Sequence, residues 1–209
     1  MAGSLRPAPT SGAETVDAAF ATFAARDVID LVAAYPLAWC IAADGEAAML
    51  PLLIERSNDD VLELIGHVGK RTPLAAGMMA TPAATILFQG PQAYVSPEWV
   101  RDRNWAPTWN FAFLHAHVLV TFTPDETEAA VQRLIDHMEG GNASWSMDEL
   151  GARRAGMMDA IIGFRARIIS VRGRFKLGQD ERPEIRSDIL AALGDCDLAA
   201  WMRRFNPAL

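Results

Sequence analysis

The chain has 209 residues, 51% hydrophobic and 22% charged, with a formal net charge of −7. This is the composition of a globular protein with room for one well-buried domain. The negative balance excludes a general coat for nucleic acid, though not a local basic patch, and no apolar run reaches membrane-span length.

Residues 1–12 lack the apolar stretch of a secretory signal and are expected to form a loose leader, with a single domain over 13–209. Phe20, Phe23, Val28, Leu31 and Val32 recur at helical spacing and predict an amphipathic helix from Asp17 to Ala34, stopped by Pro36. "PLAWCIAADGEAAMLPLLIE" predicts two strands joined at Asp44–Gly45, a dipeptide suited to a hairpin turn. "DDVLELIGHVGK" predicts a third strand, and the continuously apolar "PAATILFQG" a fourth and central one.

Residues 88–111 then place three tryptophans, three prolines and a tyrosine within 24 residues. A core strand would not tolerate those prolines, so the stretch predicts a rigid loop: a structural corner, or a wall for a flat ligand. "TWNFAFLHAHVLVTF" resumes strand character. Thr123, Pro124 and Glu126 predict a capping box opening a helix, with Val131, Leu134, Ile135 and Met138 on its apolar face and Gly140–Gly141 as its stop. A shorter helix is expected over 152–160. "IIGFRARIISVRGRFKLGQ" reads as a long strand or bent pair, and Arg182 to Phe205 as a helical tail. Such a run of adjacent strands argues for a mostly antiparallel β-barrel with flanking helices, not a parallel sheet.

Few residues advertise chemistry by themselves. Ser96 lies outside any nucleophile-elbow pattern and, before Pro97, reads as a turn. His115 and His117 share a strand face but lack a third ligand, so packing is favoured and no metal is expected. Cys40 and Cys196 make no disulfide framework, which points to a reducing cytoplasm. No Walker or dinucleotide glycine pattern is present. "GHVGKRTP" brings Lys70, Arg71 and Thr72 to a strand end beside His67, a grouping that suits a phosphate monoester or, equally, a solvated basic turn. Arg165 and Arg167 share one face of a strand, as do Arg172, Arg174 and Lys176; such a row suits acidic groups of a protein or DNA partner, or solvent.

"MLPLLI", "GHVGKRTP", "FQGPQAYVSPEW", "APTWNFAFLHA" and "FKLGQ" together resemble the PaiB-like proteins, called FMN-binding negative transcriptional regulators, over roughly residues 20 to 185. The resemblance implies the split β-barrel shared with pyridoxamine-phosphate oxidase and flavin reductases, with FMN bound at the interface of a homodimer. It implies His67, Lys70, Arg71 and Thr72 at the phosphate end. Backbone at Leu50, Pro51 and Leu52 and the side chains of Gln89, Tyr94, Trp109 and Asn110 are implied near the ring, with Lys176 and Gln179 reaching in from the same or the partner chain. Trp109 is expected to be a large ring whose loss harms folding as well as flavin contact. The chain departs from the family pattern at Met49 and Gln92, where the pattern has histidines, and at Gly178, where it has serine.

Two functions follow from the resemblance. One is a cytoplasmic, homodimeric, FMN-binding repressor of transcription, with Arg165, Arg167, Arg172 and Arg174 as the surface for DNA or a protein partner and no role at a membrane. The other is a flavin-dependent oxidoreductase taking hydride from a reduced nicotinamide, in which His67, His115 and Tyr94 are the available proton donors.

Overall fold

The computed structural model describes residues 16–56, 62–140 and 145–207, so the expected leader lies outside the described residues. Six strands carry the architecture: β1 Leu37–Ala42, β2 Ala47–Arg56, β3 Leu62–Gly69, β4 Ala83–Val95, β5 Thr108–Phe122 and β6 Ile161–Lys176. They close a barrel in the order β1-β2-β3-β6-β5-β4, and closure leaves no unpaired edge. The β1 strand pairs antiparallel with β2 and β4, β2 with β3, and β3 with β6. This is the antiparallel barrel that the strand run predicts.

The helices are α1 Val16–Phe20, α2 Ala25–Ala34, α3 Pro73–Ala80, α4 Thr127–Glu139, α5 Arg153–Ala160, α6 Pro183–Leu193 and α7 Asp197–Phe205. The single N-terminal helix expected from hydrophobic spacing is thus two. Asp27 folds back so that its carboxylate accepts from Ala24 N–H at 2.7 Å, which fixes the start of α2 and breaks the periodic run. The helical tail is likewise two helices, α6 ending at Gly194 with φ +67.

By contact, the chain divides into two compact units, one of residues 29–88 and 115–171, the other of 1–28, 89–114 and 172–209. In the first, Leu52, Leu64, Ile86, Phe88 and Phe164 are almost wholly buried. The hairpin falls where the sequence places it, Gly45 taking φ +90. Gly66 is forced by space: a Cβ there would stand 2.4 Å from Leu52 Cδ2. The β4 strand is not apolar on both faces in this unit; Ala84, Ile86 and Phe88 are buried while Thr85 and Leu87 are half-exposed.

The capping box at Thr123 does not form. Pro124–Glu126 is a separate 3-10 turn, Thr123 makes no cap bond, and the Glu126 side chain turns to Arg165 instead. Met138 is 62% exposed and not part of the apolar face, and Gly140 at φ +70 ends the helix as expected. A capping box does occur at Ser146 and Glu149.

The second unit is built on aromatic stacking. Phe175 is fully buried and lies 4.8 Å from Phe205, 5.9 Å from Trp201 and 5.4 Å from Phe23, centroid to centroid. Truncating such a ring costs roughly 3–5 kcal/mol. Ile185, Ile189, Leu198 and Met202 complete this core from α6 and α7.

Candidate functional site

Two groups of the expected residues come together, one in each unit. The first lies where β3 ends. Leu52 pairs with Gly66 across β2 and β3, and His67 pairs with Gly163 of β6, so the Leu50–Leu52 backbone runs beside His67. The Lys70 backbone N–H then donates to Ala160 O at 2.9 Å, which fixes the turn as the chain leaves the sheet.

Thr72 ends that turn. Its hydroxyl donates to Gly69 O at 2.9 Å and accepts from Ala75 N–H at 3.2 Å, capping α3, while Pro73 fills the first helical position. The α3 helix was not expected from sequence, although Thr-Pro at its start is a recognisable signal. With its proton committed to Gly69, Thr72 shapes the corner and presents no free donor.

Lys70 and Arg71 are exposed, and among the described residues neither side chain meets a carboxylate or other partner. Two unpaired cations side by side form a natural seat for a dianion. The His67 Nδ1 is buried with no hydrogen-bond partner among the described residues, and burial pushes the imidazole pKa below its usual value, so the neutral ring is favoured.

The second group lies on β4 and β5. A pocket of about 290 Å³ is lined by Gln89, Gln92, Trp109, Phe111, Ala112 and Phe113. Trp109 is 51% exposed and meets the edge of Tyr94 at a centroid distance of 6.0 Å. The prolines do not exclude a strand here: β4 runs through Gly90–Pro91 to Val95, and the loop is only 96–107. Along β4, Gly90 and Pro91 are both buried, so the alternation slips by one residue, as at a β-bulge, and Gln92 and Tyr94 join Gln89 on the exposed face. The two glutamine amides have no partner among the described residues. Planar apolar walls beside two unspent amides suit a flat heteroaromatic ring with donors and acceptors on its edge.

The remaining expected residues sit elsewhere. Asn110 is 2% exposed on the opposite face of β5, where its amide reaches Met202 Sδ at 3.6 Å. Lys176 Nζ is held by Thr108 Oγ1. Gln179 serves its own turn, accepting from Leu177 N–H at 2.7 Å and donating to Phe175 O at 2.6 Å. Phe111 and Phe113 were missed from sequence, yet they follow Trp109 at alternate positions on one strand face. Gln92 carried no such signal, because its orientation depends on the slip at Gly90–Pro91.

The arginine row is divided. Arg165 is tied to Glu126 at 2.7 Å, Glu63 at 3.3 Å and Glu55 at 3.5 Å, while Arg167 and Arg172 are exposed and Arg174 lies over the Phe20 ring at 5.3 Å. His115 and His117 pack ring to ring at 4.5 Å, and among the described residues no group of three or more His, Cys, Asp or Glu is placed to hold a metal ion. Among the described residues no helix is long and apolar enough to cross a membrane.

Comparison with known proteins bears on the family and the fold. The chain is 26% identical over 139 residues to protease synthase and sporulation protein PAI 2 of Bacillus subtilis, covering 64% of this chain and 65% of that protein. It is 27% identical over 168 residues to an uncharacterized protein of Aspergillus fumigatus, covering 60% of this chain and 64% of that one. The chain thus spans a little under two thirds of the length of these relatives. In fold it is similar to an FAD and heme binding protein from Mycobacterium smegmatis, with TM-score 0.55, 15% identity, and 84% and 81% of the two chains covered. It is also similar to a flavocytochrome from Azotobacter vinelandii, with TM-score 0.52, 12% identity, and 75% and 69% covered. The family model described as "Putative FMN-binding domain" matches residues 16–170; taken separately, adjacent exposed cations suit a phosphate and an amide-edged aromatic pocket suits a flat ring, the two chemistries FMN presents. The chain belongs to this FMN-binding domain family, and FMN is its cofactor.

Proposed function

We propose that this chain, as one FMN-binding domain over 13–209, works in the cytoplasm as a homodimeric regulator of transcription. The observation that carries the cofactor placement is the pair Lys70 and Arg71, exposed and with no side-chain partner among the described residues, beside a capped helix start. They would hold the phosphate, with Thr72 setting the turn. Gln89, Gln92, Tyr94 and Trp109 would receive the isoalloxazine ring, which supplies redox chemistry when bound. Support for a second copy comes from the outer barrel face. Trp39 is paired with Met49 across β1 and β2, next to Leu37, and the three side chains are 48%, 45% and 51% exposed. The regulatory role rests on the PaiB-like resemblance and the PAI 2 relative, with Arg167 and Arg172 as the exposed cations for an acidic partner.

Saturating the protein with FMN, removing the excess and recording the visible spectrum tests the reading; a stoichiometric flavin band is expected, and a colourless protein would sink it. Lys70→Ala with Arg71→Ala should weaken FMN at least tenfold, since charge-assisted bonds contribute about 1.5–3 kcal/mol each. Riboflavin, lacking the phosphate, should be little affected. Gel shifts across a salt series test direct DNA contact, which must fall steeply with salt.

A second reading, a flavin-dependent oxidoreductase, is favoured by His67, whose unpartnered Nδ1 can accept a proton. Anaerobic bleaching of the bound flavin by NADH would support it, and a flavin that stays yellow would not.

A further inference from the structure

The 96–107 loop is tied to the C-terminal segment by a matched set of polar bonds, all within one compact unit. Arg101 directs its backbone N–H, Nε and Nη2 to the single carboxylate of Asp188, at 3.0, 2.8 and 2.6 Å. The next residue, Asp102, accepts from Arg182, and Trp105 Nε1 donates to Glu181 Oε2 at 2.9 Å. A basic and an acidic neighbour in the loop therefore meet an acidic and a basic partner, so a slip of one residue would bring like charges together.

The receiving segment is itself fixed. Arg186 Nη1 donates to Gly178 O, Glu181 O and Asn206 Oδ1, and Asn206 Nδ2 donates to Leu177 O and Met202 O. From this anchored loop the chain runs directly into β5, where Trp109, Phe111 and Phe113 line the pocket, and it leaves β4 just after Tyr94.

We propose that segment 177–206 is a reversible latch that holds the 96–107 loop and so controls access to the aromatic pocket lined by Trp109, Phe111, Phe113 and the two glutamines. The chemistry suits a latch that opens. The Arg101 and Arg182 side chains are each 65% exposed, and exposed ion pairs are individually weak and screened by salt. Val100, 4% exposed, keeps the base of the loop seated while the charged tip exchanges. The family match ends at residue 170, so the latch lies beyond what membership assigns. Only the identity of the pocket's ligand rests on the flavin reading; the motion of the loop does not.

Limited trypsin digestion of flavin-free protein tests it, with Arg103 as the reporter site in the loop. Asp188→Ala should raise cleavage there about tenfold, because cleavage tracks the open population. The exchanged pair Arg101→Asp with Asp188→Arg should return it to the parent rate. Riboflavin, which engages the pocket without the phosphate corner, should bind more weakly to Asp188→Ala and recover in the exchanged pair. Unchanged cleavage in Asp188→Ala, or an exchanged pair that stays labile, would overturn the latch; raised cleavage with unaltered riboflavin affinity would overturn its control of the pocket. Should Asp188→Ala fold poorly, Arg182→Gln removes the second tie and gives the same reading. A parent protein that binds no flavin at all would defeat the cofactor reading while the cleavage comparison still decides the latch.

Discussion

Arg165 Nε stands 2.7 Å from Glu126 Oε2, in the turn that leads into α4. The same guanidinium reaches Glu63 of β3 and Glu55 of β2, and the Glu126 hydrogen bond is the largest of the effects that raise its pKa. A residue that reads as part of a basic stripe is thus a staple between strand and helix. Arg165→Met should destabilise the protein by roughly 1–2 kcal/mol, because charge-assisted bonds to a part-exposed group are partly screened. A urea midpoint identical to the parent's would rule that role out.

Trp109 is expected from sequence to be a large buried ring serving folding as well as flavin contact, but half of it is exposed. Trp109→Ala should therefore cost little stability, about 1 kcal/mol or less, while weakening flavin binding. A fall in melting temperature like that of a core tryptophan, measured by circular dichroism, would show that the ring serves folding after all.

Asp188 offers a pH test. Its hydrogen bonds to Arg101 depress the carboxyl pKa from 3.8 to about 2. The folded-state value lies below the unfolded one, so the ion pair's contribution is complete above the ordinary carboxylate range and is lost as pH falls through about 2. The melting-temperature difference between the parent and Asp188→Asn should be constant at neutral pH and close in acid. A gap that persists at acid pH would mean the side chain acts by packing.

The two cysteines should differ sharply. Cys40 is 1% exposed on β1, and burial pushes its thiol up to about 12, whereas Cys196 is exposed. A thiolate-seeking disulfide reagent should titrate one thiol in native protein and both after denaturation. Two fast thiols in the native state would show that the barrel opens around β1.

The strands were legible because burial alternates along them, most plainly on β5, where Asn110, Ala112, Leu114, Ala116, Val118 and Val120 all point inward. The exposed pair Lys70 and Arg71 was legible because the two cations are adjacent in sequence. What the sequence hid was orientation. Asn110 and Gln179 are polar residues in a matching motif, yet one faces the core and the other bonds its own backbone. The α3 helix and the break between α6 and α7 were missed because short helices depend on caps and on the packing of Leu74, Met78 and Trp201, which periodicity alone does not reveal.

The slip at Gly90–Pro91 means that β4 is written in two successive frames. Up to Gln89 the odd-numbered residues face outward; from Gln92 the even-numbered ones do. Removing one residue at Gly90 would merge the frames into one strict alternation and leave Gln92 and Tyr94 facing outward. Homologous chains one residue shorter at this point would then share both the barrel and the direction of this wall, so the slip absorbs a change in length that would turn the wall inward anywhere else along the strand.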